Sequence, residues 1–220
     1  MICAIVLAAG RSSRMGVQKL LLPFGGKTVI SHIVDQLLDS AVDKIFVVTG
    51  HQPERISGEL SGRRVSIVNN ADYDSGMLSS VRCGLRALPE RCKAVLVAIG
   101  DQPSISTGLV DLMIQSFAAG EKKILVPCYE GKRGHPILFS TLYREEILTH
   151  YDDVGLRGLL HAHPDDVLEL TVSTSCVLSD MDYPDDYRRE LTAMNENEGK
   201  PPDPHKASRR DGDDNSTIAV

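Results

Sequence analysis

The chain has 220 residues, 42% of them hydrophobic, and a formal charge of −6 at pH 7. That apolar share supports a sizeable core in one or two domains, and the acid excess argues against nucleic acid or an anionic membrane surface as the main partner. Cys3, Cys83, Cys92, Cys128 and Cys176 are odd in number and form no CxxC pair, which excludes a disulfide framework or a cysteine zinc site.

Ile2 to Ala9 is a short Ile/Val/Leu-rich run broken at Gly10, the pattern of a buried strand. A small-residue loop follows, running through Arg11-Ser12-Ser13-Arg14-Met15-Gly16 to Lys19 and toward an expected helix. From Thr28 to Ala41, a helical spacing puts Val29, Ile30, Ile33, Val34, Leu37 and Leu38 on one face. Lys44–Thr49 reads as a strand, Pro53–Leu60 as a short helix with proline in its first turn, and Arg64–Val68 as another strand. A helix is expected over Met77–Leu88, and Lys93–Ile99 is the most apolar strand, expected at the centre of the sheet. Thr107–Ala118 then reads as a helix, with strands at Lys123–Val126 and Pro136–Phe139 around the polar turn Glu130–Gly134. Leu142–Leu148 and Leu156–His161 have helical patterns, Val167–Val172 that of a strand, and Pro184–Met194 that of a closing helix. Strands alternating with helices predict an α/β fold with a single, doubly wound, mainly parallel sheet flanked by helices. Residues 195–220 are dense in Asp, Lys, Arg, Pro and Asn, too polar to offset ordering entropy, and are expected to be a disordered tail behind a domain spanning 1–194. No run reaches the roughly 20 apolar residues of a membrane span. No basic region precedes the first apolar run, so cytoplasm is the expected location.

Chemistry collects where the strands end. A strand feeding a glycine loop is how open α/β sheets hold phosphate, because backbone N–H groups point outward there, and Arg14 and Lys19 are cations that need an anion. The loop is neither a Walker A motif nor a dinucleotide fingerprint, since no Gly-Lys-Ser/Thr follows and its glycines are wrongly spaced.

This opening, Leu7-Ala8-Ala9-Gly10-Arg11-Ser12-Ser13-Arg14-Met15-Gly16-Val17-Gln18-Lys19 with Leu20-Leu21-Leu22-Pro23 behind it, resembles the signature of the nucleotidyltransferases that build molybdenum cofactors, and among them the cytidylyl-transferring group. The resemblance covers about residues 1–191 and implies a fold of the nucleotide-diphospho-sugar transferase type. It implies transfer of CMP from CTP to the terminal phosphate of a molybdopterin-type cofactor, with Mg²⁺ as cofactor and a molybdenum hydroxylase as recipient. CTP is favoured over GTP because guanylyl relatives usually carry a second glycine where Ala9 stands. Leu7, Ala8, Ala9, Gly10, Arg14 and Lys19 would then hold the nucleotide, with Arg14 and Lys19 also stabilising the departing pyrophosphate.

Four later segments extend the resemblance. Val95-Leu96-Val97-Ala98-Ile99-Gly100-Asp101-Gln102-Pro103 delivers a carboxylate at a strand end; on residues alone Asp101 either organises the turn or binds metal, and the family places magnesium there. Leu178-Ser179-Asp180-Met181-Asp182-Tyr183-Pro184 resembles the segment whose acid meets the same metal, although the family usually has Thr at Tyr183. Asp180 and Asp182 both remain candidates. In Asn69–Val81, Ser75 and Gly76 read equally as a plain helix start. The resemblance instead puts Asn70, Gly76, Ser79 and Ser80 in the nucleotide pocket. Gly131-Lys132-Arg133-Gly134-His135-Pro136-Ile137 reads as a hairpin on its residues and as the pterin side by resemblance. Arg133, Gly134 and His135 would contact substrate, with Gln102 and with Arg157 of Gly155–Leu160. Gly50-His51 is a weaker candidate on the same edge, and His161 and His163 read as structural or exposed.

Asp101 is the expected catalytic carboxylate, beside Arg14 and Lys19 as catalytic cations. No Ser-His-Asp or Cys-His set is needed, because a phosphate monoester is already ionised at neutral pH and the remaining work is positioning and charge neutralisation. Two rivals remain: another nucleotidyltransferase of this fold, using GTP or a different phosphorylated acceptor, and a non-catalytic carrier of the finished cofactor. A carrier has no use for metal-triphosphate residues.

Overall fold

Residues 3 to 8 alternate strictly between two cores. Cys3, Ile5 and Leu7 are buried in one and Ala4, Val6 and Ala8 in the other, so the first strand is covered on both faces. In the computed structural model, which describes residues 1–198, this strand is β1 (Ile2–Ala8). It is followed by a 3₁₀ turn (Lys19–Leu21), the small hairpin β2 (Pro23–Phe24) and β3 (Lys27–Thr28), and α1 (Val29–Leu38). Next come β4 (Lys44–Thr49), α2 (Pro53–Glu59), β5 (Val65–Asn69), α3 (Met77–Ala87), β6 (Ala94–Ile99) and α4 (Thr107–Ala119). The second half holds β7 (Ile124–Tyr129), β8 (Lys132–Arg133), β9 (Ile137–Ser140), α5 (Arg144–Thr149), α6 (Arg157–Ala162), β10 (Val167–Thr171) and α7 (Pro184–Glu198).

The sheet runs β10-β7-β9-β6-β1-β4-β5, with β8 paired to β7. β1 lies parallel to both β4 and β6, whereas β9 is antiparallel to β6 and β7. The most apolar strand, β6, is central as its composition predicts. Side chains from α1 and α4 fill one face (Ile30, Val34, Val110 and Met113 among them), and α3, α5 and α6 fill the other with Val81, Leu85, Ile147 and Leu159. The sheet is therefore doubly wound and mainly parallel, as expected. Gly84 marks the closest approach of α3 to β1, since a Cβ there would lie 2.7 Å from Ile5 Cγ2.

Three expectations need correction. The loop after β1 leads to a single 3₁₀ turn and a hairpin, not directly to a helix, because Pro23 and the positive-φ pair Gly25-Gly26 break the chain before Val29. A 3₁₀ turn, Thr141–Tyr143, precedes α5. The closing helix passes the expected boundary at residue 194 and continues to Glu198. Leu191 and Met194 pack on the core, and once a helix is anchored each added residue gains a hydrogen bond. The rest of the expected disordered tail lies outside the described residues. All five cysteines are free thiols.

Candidate active site

β1 and β6 end side by side, and the ends are held at short range. Gly100 N–H donates to Leu7 O at 3.0 Å, and a Cβ on Gly100 would come within 2.7 Å of that oxygen. The missing side chain lets the next residue, Asp101, sit beside the loop that leaves β1. That loop is built by residues the sequence reading passed over. Ser12 adopts a left-handed conformation (φ 54°), donates its hydroxyl to Gln18 Oε1 at 2.8 Å and accepts from Lys19 N–H. Buried Gln18 in turn donates to Gly10 O at 3.3 Å.

This arrangement aims Lys19 at two carboxylates. Its ammonium donates to Asp101 Oδ2 and, at 3.1 Å, to Asp182 Oδ1, while Arg14 holds Asp182 Oδ2 at 2.5 Å. Lys19 and Asp101 each keep 13% of their side-chain surface exposed. Burial raises the Asp101 carboxyl above its usual range, opposed by Lys19, whereas the Lys19 and Arg14 partners lower that of Asp182. Asp101 Oδ1 is buried without a hydrogen-bond partner. Among the described residues no three metal-type side chains cluster. Two carboxylates, one with an orphaned buried oxygen, nevertheless fit an ion such as Mg²⁺ that takes one or two carboxylates plus phosphate oxygens.

Two cavities meet here. The first, about 320 Å³, is lined by Leu7, Ala9, Gly10, Arg14, Lys19, Gly76, Ser80, Asp101 and Asp182, together with Ser12, Ser13, Tyr73 and Met77. Gly76 (φ 98°, ψ 175°) occupies a region essentially confined to glycine, which turns the chain so that α3 opens onto the cavity. The second, about 500 Å³, is lined by Arg133, Gly134, His135, Arg157, His161 and Asp180 on a largely apolar wall. Leu7, Met77 and Ile99 line both.

Other expected residues stand behind the walls. Ala8 faces the opposite core. Asn70 donates from Nδ2 to Ser79 Oγ (2.9 Å) and Ser80 Oγ (3.0 Å), so it braces the start of α3, and Ser79 itself donates to Asp72 O and Gly76 O. Gln102 is buried and donates to Asp180 Oδ1 at 2.6 Å, with its own Oε1 unpartnered. Asp180 and Asp182 therefore part company, the first toward the second cavity and the second toward the first. His135 is half-buried with its Nδ1 enclosed and unpartnered, and desolvation lowers its pKa, favouring the neutral ring. Arg133 pairs with Glu169 at 2.7 Å. Gly134 is pressed onto the segment carrying both aspartates, since a Cβ would lie 2.2 Å from Val177 O. His51 packs its ring toward Tyr73 beside the outer side of the loop, and Gly50 lies beneath Tyr73 and Ala9. His163 pairs with Glu146 at 2.9 Å.

The comparisons settle the family. Residues 4–167 match the family model of the MobA-like NTP transferase domain. The chain belongs to the MobA-like NTP transferase family. It is similar to the molybdenum cofactor cytidylyltransferase of Escherichia coli K12, 27% identical over 185 residues that cover 83% of this chain and 92% of that one. Among solved structures it resembles Rv0371c of Mycobacterium tuberculosis H37Rv (31% identity, TM-score 0.78, 87% of this chain and 97% of that one). That protein has also been crystallised with manganese (29% identity, TM-score 0.75, 87% and 98%). A nucleotidyl transferase of Methanothermobacter thermautotroptrophicus is similar at 28% identity and TM-score 0.78, covering 90% and 99%. The MobA-like fold thus accounts for the sheet, and the two cavities occupy the strand-end crevice where such open sheets bind ligands. Among the described residues of this MobA-like chain, no helix is long and apolar enough to cross a membrane.

Proposed function

We propose that the protein transfers CMP from CTP to the terminal phosphate of a molybdopterin-type cofactor, giving the cytosine dinucleotide and pyrophosphate. The observation that carries this reading is the junction of two cavities at Leu7, Met77 and Ile99, with Lys19, Asp101 and Asp182 on one side and Arg133, His135 and Arg157 on the other. The first cavity suits a nucleoside triphosphate, with Arg14 and Lys19 able to exchange their carboxylate partners for phosphate oxygens. The second offers an apolar wall for a fused ring and two arginines for its phosphate.

In the step itself an acceptor phosphate oxygen forms a bond to the α-phosphorus while the bond from that phosphorus to pyrophosphate breaks. The acceptor needs no base, and Arg14 and Lys19 neutralise the leaving charge. Asp101 with Asp182 would hold Mg²⁺, which supplies positive charge to the phosphate oxygens when bound, while Asp180 faces the second cavity. Ala9 lines the first cavity, and an alanine rather than a second glycine there is the feature that favours a pyrimidine over a purine. The manganese complex of Rv0371c and the name of the Escherichia coli relative support the metal and the substrate.

The test is mass-spectrometric identification of the product from CTP, Mg²⁺ and molybdenum–molybdopterin. The cytosine dinucleotide should form with wild-type protein, whereas Asp101→Asn should still bind CTP and yield essentially none. Absence of the dinucleotide with active acceptor, or wild-type yield from Asp101→Asn, overturns the reading.

A further inference from the structure

The wall of the second cavity that carries Arg157 hangs on one half-buried arginine of α3, outside either cavity. Arg82 points all three guanidinium nitrogens at the end of α5 and the chain that follows it. Nε donates to Ile147 O at 2.9 Å, Nη2 to His150 O at 2.7 Å, and Nη1 to Asp152 Oδ1. Its side chain is 15% exposed and the bond to Ile147 O is part-buried, whereas the bonds to His150 O and Asp152 lie at the surface. The loop it grips is tightly built. Tyr151 sits at φ 79°, costly for a bulky residue, and its carbonyl accepts from Val154 N–H (3.2 Å) and Gly155 N–H (2.8 Å). The Tyr151 ring lies over Gly158, where a Cβ would come 2.2 Å from Cδ1. Val154, Gly155 and Arg157 then line the cavity.

We propose that Arg82 is a positioning residue for the acceptor: it ties the helix that opens onto the nucleotide cavity to the loop that presents Arg157. The structure gives the reason. α3 starts at Met77, which lines both cavities, and Arg82 lies on the same helix. Without it, one carbonyl in the last turn of α5, the His150 carbonyl just after it and the Asp152 carboxylate lose their shared donor, leaving the strained Tyr151 held by its hydroxyl bond to Glu146 and by the turn at its own carbonyl. The loop then samples other conformations, and Arg157 spends less time at the acceptor. Nucleotide contacts, made by the β1 loop and Asp101, do not pass through Arg82. The role in turnover rests on the proposed function, whereas the effect on the loop does not.

The experiment compares Arg82→Ala, Arg82→Lys and Asp152→Asn with the wild type by amide hydrogen exchange and by steady-state kinetics with CTP and molybdenum–molybdopterin. In Arg82→Ala, exchange should rise across residues 151–158 while α4, on the far face, keeps its protection. KM for the acceptor should rise about tenfold with KM for CTP changed less than about twofold, the loss expected from several charge-assisted hydrogen bonds acting through one loop. Lysine should restore only part, because a point charge cannot span three acceptors, and Asp152→Asn should give a smaller shift in the same direction. Unchanged exchange at 151–158, or equal rises in both KM values with a general loss of protection, overturns the proposal. If the wild type fails to turn over the acceptor, the functional reading falls, and exchange at 151–158 alone decides the role of Arg82.

Discussion

Lys19 and Asp101, 82 positions apart in the chain, form an ion pair at the ends of adjacent segments, with both side chains largely removed from water. Such a pair is poor evidence for stability, since desolvating both charges offsets most of their attraction. Its value lies in poise. Lys19 satisfies one oxygen of Asp101 and one of Asp182, leaving Asp101 Oδ1 buried and unpartnered in the wall of the first cavity.

Removing the cation should therefore cost activity more than fold. We expect Lys19→Met to lower turnover by about 100- to 1,000-fold, the scale of losing a donor to developing oxyanion charge. Lys19→Met should also leave Asp101 unpaired, so the double variant with Asp101→Asn should unfold at a higher temperature than Lys19→Met alone. Thermal unfolding of the two singles and the double checks this.

The methyl of Ala9 makes a sharper forecast. Ala9→Gly removes the methyl of a residue that lines the first cavity. We expect the preference for CTP over GTP, read as the ratio of kcat/KM values, to fall about tenfold, since one methyl group in a close-fitting pocket is worth about 1–3 kcal/mol. An unchanged ratio would place base discrimination elsewhere, at Tyr73 or Ser80.

Gly134 tests the link between the acceptor hairpin and the segment carrying Asp180 and Asp182. A Cβ there meets the Val177 carbonyl at 2.2 Å, so Gly134→Ala must push the two apart. Destabilisation of about 1–3 kcal/mol is expected from such overpacking, accompanied by a raised acceptor KM. Chemical unfolding and kinetics on the same preparation would show both.

Much of the fold was legible in the chain because its signals are redundant. Lys44–Thr49 has both the apolar run and the flanking glycine of a strand, and α3 has Gly76 before a helical stripe at Leu78, Val81 and Leu85. The site was legible wherever a strand end dictates direction, as at Gly10 and Asp101. Side-chain aim in loops was not. Asn70 and Ser79 sit in the right segment but turn inward to brace α3, because local backbone groups compete for short polar side chains. Strand alternation alone places Ala8 in the core opposite that of Leu7. Tyr73, Ser12 and Gln18 carried no such signal. Their roles arise from contacts between segments far apart in the chain or from an unusual φ, neither of which has a local period.

One surface network gives a pH signature independent of catalysis. The Arg63 guanidinium, at 2.6 Å, and then Lys27 hold the Asp35 carboxyl below its ordinary value. A carboxyl depressed in the folded state contributes stability that is present above its unfolded pKa of roughly 3.9 and lost as pH falls through the lower folded value. Asp35→Asn should accordingly lower the unfolding temperature at neutral pH, by an amount corresponding to about 1 kcal/mol or less, with the gap to wild type closing below about pH 4. A gap that widens on acidification would contradict the assignment.

The most direct test of the account as a whole is pyrophosphate release with each of CTP, GTP, UTP and ATP, in the presence of Mg²⁺, with and without molybdenum–molybdopterin. Release should require the pterin and be strongest with CTP. Release independent of the pterin, or none with any nucleotide, would contradict the assignment of the second cavity to that acceptor, and pterin-dependent release preferring GTP would contradict the role given to Ala9.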